Sequence, residues 1–367
     1  MMTQGEAASA FGLALGGAGP AYGPALVAAA FAYGLVLAFV VGRHARVIGT
    51  WLQLLDYPDL DGGRKQHGKV TPLVGGLAVA GAAVGGALMA AQFVPAVSPA
   101  LHLYWLAGVV GAMFVIGVVD DMFHLSPVLR LGAALTVLVL AVSNAPDFSL
   151  AFVRFSGQPQ LWLLGIWGDA FTLLCLLGLL NAVNMADGKN GIVIGMGLIW
   201  TIVLMVHVPA SMLPVLASVG AALLVMGAYN MAGKLFLGDG GSYAISALFG
   251  LLAIYAHNHD FETMRADDVA VMFAIPVFDT IRLMAVRIAR RRSPFEGDRD
   301  HLHHHLHARI GWPTGLGIYM AMVGLPNLGA LVWPGSGLVW LAVSFVAYVG
   351  VLKGTRFASE VAGRPAE

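Results

Sequence analysis

Four aspartates, an asparagine and a cluster of histidines and other bases carry most of the chemistry this sequence could do. Asp120 and Asp121 adjoin in "GVVDDMFHLSPVLR" (117–130), which ends on Arg130. Asn181, Asn184, Asp187 and Asn190 crowd "NAVNMADGKNGI" (181–192), and Phe236 and Asp239 lie in "KLFLGDGGS" (234–242). Lys65 and His67 stand in "GRKQHGKVTPLVGG" (63–76). Arg299, His301, His303, His304, His305 and His307 stand in "SPFEGDRDHLHHHLHARIG" (293–311). Carboxylates together suggest Mg²⁺, a hard ion that takes oxygen ligands and shares them with phosphates. Arg and imidazole are donors for the phosphates themselves. Two other readings of the histidines stay open: a zinc site, for which partners are not suitably spaced nearby, and a solvated His-rich loop. Asp120 and Asp121 close an apolar run, where a helix macrodipole disfavours negative charge, so they call for a nearby cation. Adjacent helical positions point about 100° apart, so at most one of the two faces a given ligand squarely. Asp239 sits in a Gly-rich turn before a helix, whose first amides are placed to meet an anion. Gly188 and Gly191 let the 181–192 backbone turn.

The elements that must position these groups are apolar. Of 367 residues 58% are hydrophobic and 11% charged, against about 25% charged in a soluble domain. With a mean hydropathy of +0.79, this reads as an all-α polytopic membrane protein. The formal net charge is zero, so there is no global pull toward nucleic acid. The single cysteine, Cys175, lies in an apolar run and reads as a packed core thiol, with no intrachain disulfide. Residues 1–22 contain no Lys or Arg and read as a flexible lead-in, not a signal peptide. A membrane domain is expected over 23–355 and a cytoplasmic tail over 356–367.

Apolar stretches of bilayer length fall at 26–42, 73–91, 101–119, 128–143, 161–182, 191–209, 211–229, 242–257, 268–288, 315–333 and 336–352. With these eleven spans, nearly all Lys and Arg lie on one side, which makes that side cytoplasmic and puts the N-terminus outside. All five polar clusters share that side. The other has nearly charge-free turns apart from 144–160 and 257–267. Away from the span ends, only Asp169, Asp279 and Arg282 interrupt the middle spans, and the last two are spaced to pair on one helix face. A transporter would carry its site near the midplane, so a catalytic site at the helix ends is the stronger reading.

In this order and on this side, the clusters resemble the polyprenyl-phosphate N-acetylhexosamine-1-phosphate transferase family. "RKQHGKVTPLVGG" is similar to its RK-x-H…P-x-x-GG motif, "VVDDMFHLS" to its DD motif, and "NAVNMADGKNG" to N-x-x-N-x-x-DG-x-DG. "LFLGDGGS" is similar to F-x-GD-x-GS, and "PFEGDRDHLHH" to the DR-x-H-[IL]-HH loop of the branch that uses UDP-N-acetylglucosamine. The resemblance implies transfer of N-acetylglucosamine-1-phosphate to undecaprenyl phosphate with release of UMP, at the bacterial inner (plasma) membrane, to begin a cell-surface polysaccharide. A phospho-N-acetylmuramoyl-pentapeptide transferase, or one for another UDP-N-acetylhexosamine, is the alternative. It implies Mg²⁺, with Mn²⁺ as substitute, held at Asp239 and Asn184. Asp120 and Asp121 match the pair that prepares the lipid phosphate, and Asp187 joins them as a catalytic candidate. Arg130 matches a phosphate contact, and Phe236 with Asn181 and Asn190 matches the uridine pocket. Lys65, His67, Arg299, His301, His303 and His304 match positions lining the diphosphate and sugar. Two departures stand out: Asp61, Gly62 and Gly63 lengthen the approach to Arg64, and Asn190 replaces the second Asp of DG-x-DG. An amide there suits recognition rather than base catalysis. A homodimer through small-residue helix faces is a further expectation.

Overall fold

The computed structural model describes residues 23–58, 68–94, 97–294 and 300–361. The expected lead-in over 1–22 lies outside these, as do Asp61 to Arg64, Lys65, His67 and Arg299. The helices are α1 (Pro24–Arg43), α2 (Ala45–Trp51), α3 (Gly75–Ala91), α4 (Val97–Phe123), α5 (Pro127–Asn144), α6 (Gly168–Ala186) and α7 (Ile192–His207). They continue as α8 (Leu213–Met231), α9 (Gly238–His259), α10 (Ala266–Ala289), α11 (Leu302–Ile310), α12 (Thr314–Val332) and α13 (Gly337–Val361). Among the described residues, nine helices are long and apolar enough to cross a membrane, and α3 and α7 are shorter apolar helices. The protein is an all-α polytopic membrane protein.

Each expected apolar segment coincides with a helix, but some ends move. The segment expected at 161–182 begins with a strand and a short 3₁₀ turn, and its helix starts at Gly168. The one expected at 242–257 starts earlier, at Gly238, so Asp239 belongs to the first turn of α9 and not to a turn before it. The last helix runs through the expected 355/356 boundary to Val361.

α9 is the centre, buried from Gly240 to His257. It packs against α3, α4, α6 and α7, while α1 and α8 pack on α3, and α10, α12 and α13 form a second group joined through α6 and α7. Small residues permit this close approach, as expected for membrane helices. A Cβ on Gly76 would collide with the backbone of Gly241, and one on Gly117 with the backbone of Asp239 and Gly240. Facing outward are apolar side chains such as Phe39, Leu174, Ile202 and Leu328, as a lipid-exposed surface requires. Cys175 lies on this outer surface and is not the packed core thiol expected. Hydrophobicity alone does not reveal which face of a uniformly apolar helix turns inward.

At one end a strand pair, β1 (Leu55–Asp56) with β2 (Thr71–Pro72), brings the 68–76 segment to the bundle. At the other, β3 (Phe152–Val153) pairs with β4 (Trp162–Leu163). There the two charged loops of the far side meet, through an Arg154–Glu262 ion pair and a hydrogen bond from the Ser156 N–H to Asp267 (2.8 Å).

Pro276 sits inside α10 and lacks the N–H that would have bonded four residues back, at Met272. The Met272 carbonyl instead accepts from the indole N–H of fully buried Trp200 (2.7 Å). Trp200→Phe leaves that carbonyl unpaired in an apolar setting, a cost of about 1–3 kcal/mol. A clear drop in melting temperature of the purified protein is the expected result; an unchanged one would show that the carbonyl finds another donor.

Candidate active site

One end of the bundle collects the C-terminus of α4, the start of α5, the C-terminus of α6 and the N-terminus of α9. Backbone pairing stitches the first motif to the fourth. The Phe236 N–H donates to Pro72 O (2.8 Å), while the N–H groups of Gly75 and Gly76 donate to Phe236 O and Leu237 O (both 2.9 Å). This places Phe236 beside the 72–76 segment. The chain then turns at Gly238, whose φ of +77° favours glycine, and enters α9.

The two adjacent aspartates serve different ends. Asp121 accepts from the N–H groups of Asp239 (3.1 Å) and Gly240 (3.3 Å). It therefore caps the positive end of α9, satisfying amides the helix cannot satisfy itself. These are the amides expected to meet a ligand anion, so that expectation is corrected: the anion they meet is Asp121. The burden of a carboxylate at the C-terminus of α4 is offset by the N-terminus of α9. Asp120 is buried and accepts from Arg130 (3.2 Å) and from the Tyr243 hydroxyl (3.0 Å).

Asn184 donates its amide to Asp239 (2.7 Å) and to the Ser242 hydroxyl (3.1 Å). The two residues expected to share a metal are thus side by side. Asn181, one turn earlier, donates to Leu177 O of its own helix (3.1 Å). Asp187 follows the end of α6; burial and then the charges of Asp239 and Asp121 push its carboxyl well above the usual range. Among the described residues, no three His, Cys, Asp or Glu side chains gather to hold a metal by themselves. The Asp239 carboxylate and the Asn184 amide oxygen would be a sparse oxygen set, of the kind that suits Mg²⁺ when phosphates and water complete its shell.

The histidines fill the other flank, beside the 187–191 turn. His301 precedes α11, is buried, and its Nδ1 bonds Asp279 (3.0 Å). His303 is buried with its Nε2 unpartnered, and its ring stands where a Cβ on Gly188 would have to go. Gly188 is needed for space, whereas Gly191, at φ +89°, is needed for the turn. Burial, then His304 and His301, hold the His303 imidazole well below its usual pKa. The His304 ring packs on that of His303, 4.3 Å between centroids. Asn190 is fixed through its carbonyl, which accepts from the Trp312 indole (3.1 Å). His305 bonds Asp300 (2.8 Å) and so ties the segment down.

Several contributors escaped the sequence reading. Asn230 accepts from the Gly191 N–H (2.8 Å) and donates to Leu235 O (3.1 Å), joining the 187–191 and 233–235 turns. Tyr243 and Ser242 lie four and three residues after Asp239, a helical spacing that puts them on its face and was the available signal. Asp279 and Arg282 do pair (2.9 Å), as expected, but Asp279 also reaches the histidine segment.

Residues 102–257 match glycosyl transferase family 4. That stretch holds the DD, N-x-x-N and GD motifs. Similar curated proteins include the undecaprenyl-phosphate alpha-N-acetylglucosaminyl 1-phosphate transferase of Escherichia coli O157:H7, 28% identical over 84% of this chain and 78% of the relative. A probable undecaprenyl-phosphate N-acetylglucosaminyl 1-phosphate transferase of Bacillus subtilis (strain 168) is 28% identical over 87% of this chain and 86% of its own. The alpha-N-acetylglucosaminyl enzyme of Yersinia pestis is 27% identical over 71% of each. The resemblance carried by the five motifs is borne out by these glycosyl transferase relatives.

The Asp300 carboxylate gives a pH signature. Burial alone would raise its pKa, but hydrogen bonds from His305 and Arg356, with the Arg282 charge, hold it well below the usual range. A depressed folded-state pKa contributes stability above the unfolded value of about 3.9, lost as pH falls toward the folded one. Asp300→Asn should therefore lower the melting temperature at pH 7, and the gap to wild type should narrow below about pH 4. A gap independent of pH would refute the ionic origin.

Proposed function

We propose that this protein transfers N-acetylglucosamine-1-phosphate from UDP-N-acetylglucosamine to undecaprenyl phosphate, releasing UMP, on the cytoplasmic face of a bacterial plasma membrane. The observation that carries the reading is the convergence of the described motif residues at one end of the bundle, with Asn184 on Asp239 at 2.7 Å and His303 against Gly188. The names of the relatives support the sugar and the lipid. Coincidence of all eleven apolar segments with helices supports an eleven-span topology with the N-terminus outside, and the basic residues at the site's end support its cytoplasmic placement.

In the reaction an oxygen of the lipid phosphate attacks the sugar-bearing phosphorus of the donor. A new P–O bond forms, and the bond to the bridging oxygen breaks, with that oxygen leaving on UMP. Asp239 and Asn184 would hold Mg²⁺, with Mn²⁺ as substitute, which when bound neutralises diphosphate charge and stabilises the leaving group. Arg130 donates to Asp120 through one nitrogen of its guanidinium and presents its remaining N–H donors to the lipid phosphate. Asp120, fixed by Arg130 and Tyr243, orients that phosphate. By analogy with phosphorylated side chains its second pKa is about 6, so the nucleophile is already largely ionised and needs little base. Asp121, engaged in capping α9, serves the reaction by holding Asp239 in place. Asp187 and Asn181 line the polar end of α6, and Asn190 and Phe236 border the uridine site. His303 and His304, joined by Lys65, His67 and Arg299, supply donors to the diphosphate and sugar, where positioning and charge stabilisation provide most of the acceleration.

Purified protein with undecaprenyl phosphate and Mg²⁺ should release UMP from UDP-N-acetylglucosamine, more slowly or not at all from UDP-N-acetylmuramoyl-pentapeptide. No UMP from any UDP-N-acetylhexosamine would sink the transferase reading. Asp239→Ala should lose at least about 100-fold in kcat, as when one group that stabilises developing charge is removed, while the protein is still recovered monodisperse. Full turnover by that variant would remove Asp239 from the metal site.

A further inference from the structure

Away from the carboxylate cluster, one buried acid gathers a second set of polar groups. Asp279, on α10, is 5% exposed. It accepts from the Arg282 guanidinium (2.9 Å), the Tyr348 hydroxyl (2.8 Å), His301 Nδ1 (3.0 Å) and the Leu302 N–H (3.2 Å). Four donors match the four lone-pair sites of a carboxylate. The set exceeds what neutralising Arg282 within one helix would need.

Two of the four donors belong to the histidine segment. Leu302 is the first residue of α11, and the residue before it, His301, makes no side-chain cap of its own. Asp279 thus caps α11 from α10 and at the same time fixes the ring of His301. The nine residues of α11 are too few to form a stable helix alone, so its placement depends on such ties. The His301 and His303 rings are nearly parallel, 13° apart with centroids at 5.3 Å. A fixed His301 therefore sets where His303 can stand against Gly188.

We infer that Asp279 is a positioning residue for the imidazoles of His303 and His304, acting through His301 and the N-terminus of α11. The inference rests on the transferase reading of the site for its effect on rate, and on geometry alone for its effect on the segment. Asn at 279 keeps the size and one acceptor but removes the charge that His301 and Arg282 share.

The test uses the full chain in lipid nanodiscs, with hydrogen exchange read by mass spectrometry and UMP release read in parallel. Asp279→Asn should speed exchange across 300–310 by about 10-fold, as loss of a local tie predicts, and leave 238–259 as in wild type. It should also lower kcat for UMP release by about 10-fold or more, with the KM for undecaprenyl phosphate within about 2-fold. Combined with His301→Ala, the double variant should be within about 3-fold of the slower single variant, because both act on one unit. Unchanged exchange over 300–310, or losses that multiply in the double variant, would overturn the inference. If Asp279→Asn is not recovered folded, Tyr348→Phe removes one of the four donors and should raise exchange over the same residues by about 3-fold; no rise there overturns it equally. Absence of UMP release by wild type would defeat the transferase reading, while the exchange data still decide the positioning role.

Discussion

The carboxylate of Asp121 lies on the first N–H groups of α9, and the polar end of the bundle is organised around that contact. α9 is enclosed on all sides, so the donors at its N-terminus cannot rely on water and must find an acceptor in the protein. Asp121 supplies one from a helix more than a hundred residues earlier in the chain. The same contact brings Asp120 beside the α9 face that carries Tyr243, and presents Asp239 to Asn184. A carboxylate adverse to its own helix becomes favourable to a neighbouring one, and the cross-helix geometry follows from that exchange.

Around this contact the site divides into two flanks with different physics. The aspartate flank consists of groups whose mutual repulsion favours a cation, and the carboxyl of Asp187 is raised by burial first and by the Asp239 and Asp121 charges after it. On the histidine flank, one buried and one half-buried acid do the opposite work. Asp279 and Asp300 are surrounded by donors and hold the segment between α10 and α13. The turn at 187–191 lies between the flanks, anchored by Asn230 on one side and Trp312 on the other. A rigid scaffold with its polar groups at one rim suits a reaction between a lipid-borne phosphate and a water-soluble nucleotide.

Hydropathy was enough to locate every apolar helix, because a bilayer-length run can satisfy its backbone in few other ways. α6 starts later than its hydropathy suggests because Leu161 to Trp167, although apolar enough for a helix, form a strand and a 3₁₀ turn. The motif residues were legible as a set, since polar groups at the ends of greasy segments need a reason. Their individual duties were not. The cap made by Asp121 and the tie made by Asp279 both join residues far apart in the chain, and nothing local in "VVDD" or "VFDT" names the partner. The exposure of Cys175 was hidden for a different reason: from Leu173 to Leu180 α6 is apolar on every face, so lipid and protein neighbours leave the same mark on its composition.

The glycine contacts of α3 and α4 with α9 carry a further consequence. Where Gly76 meets Gly241 and Gly117 meets Asp239 and Gly240, main chain lies against main chain. The separation of the carboxylate-bearing helices is therefore a dimension of the backbone and owes little to the shapes of side chains. The outward faces are then free to drift among Leu, Val, Ile and Phe as the surrounding lipid changes, while the spacing at the polar rim stays constant. Such a protein can adapt to membranes of different fluidity without redesigning its chemistry.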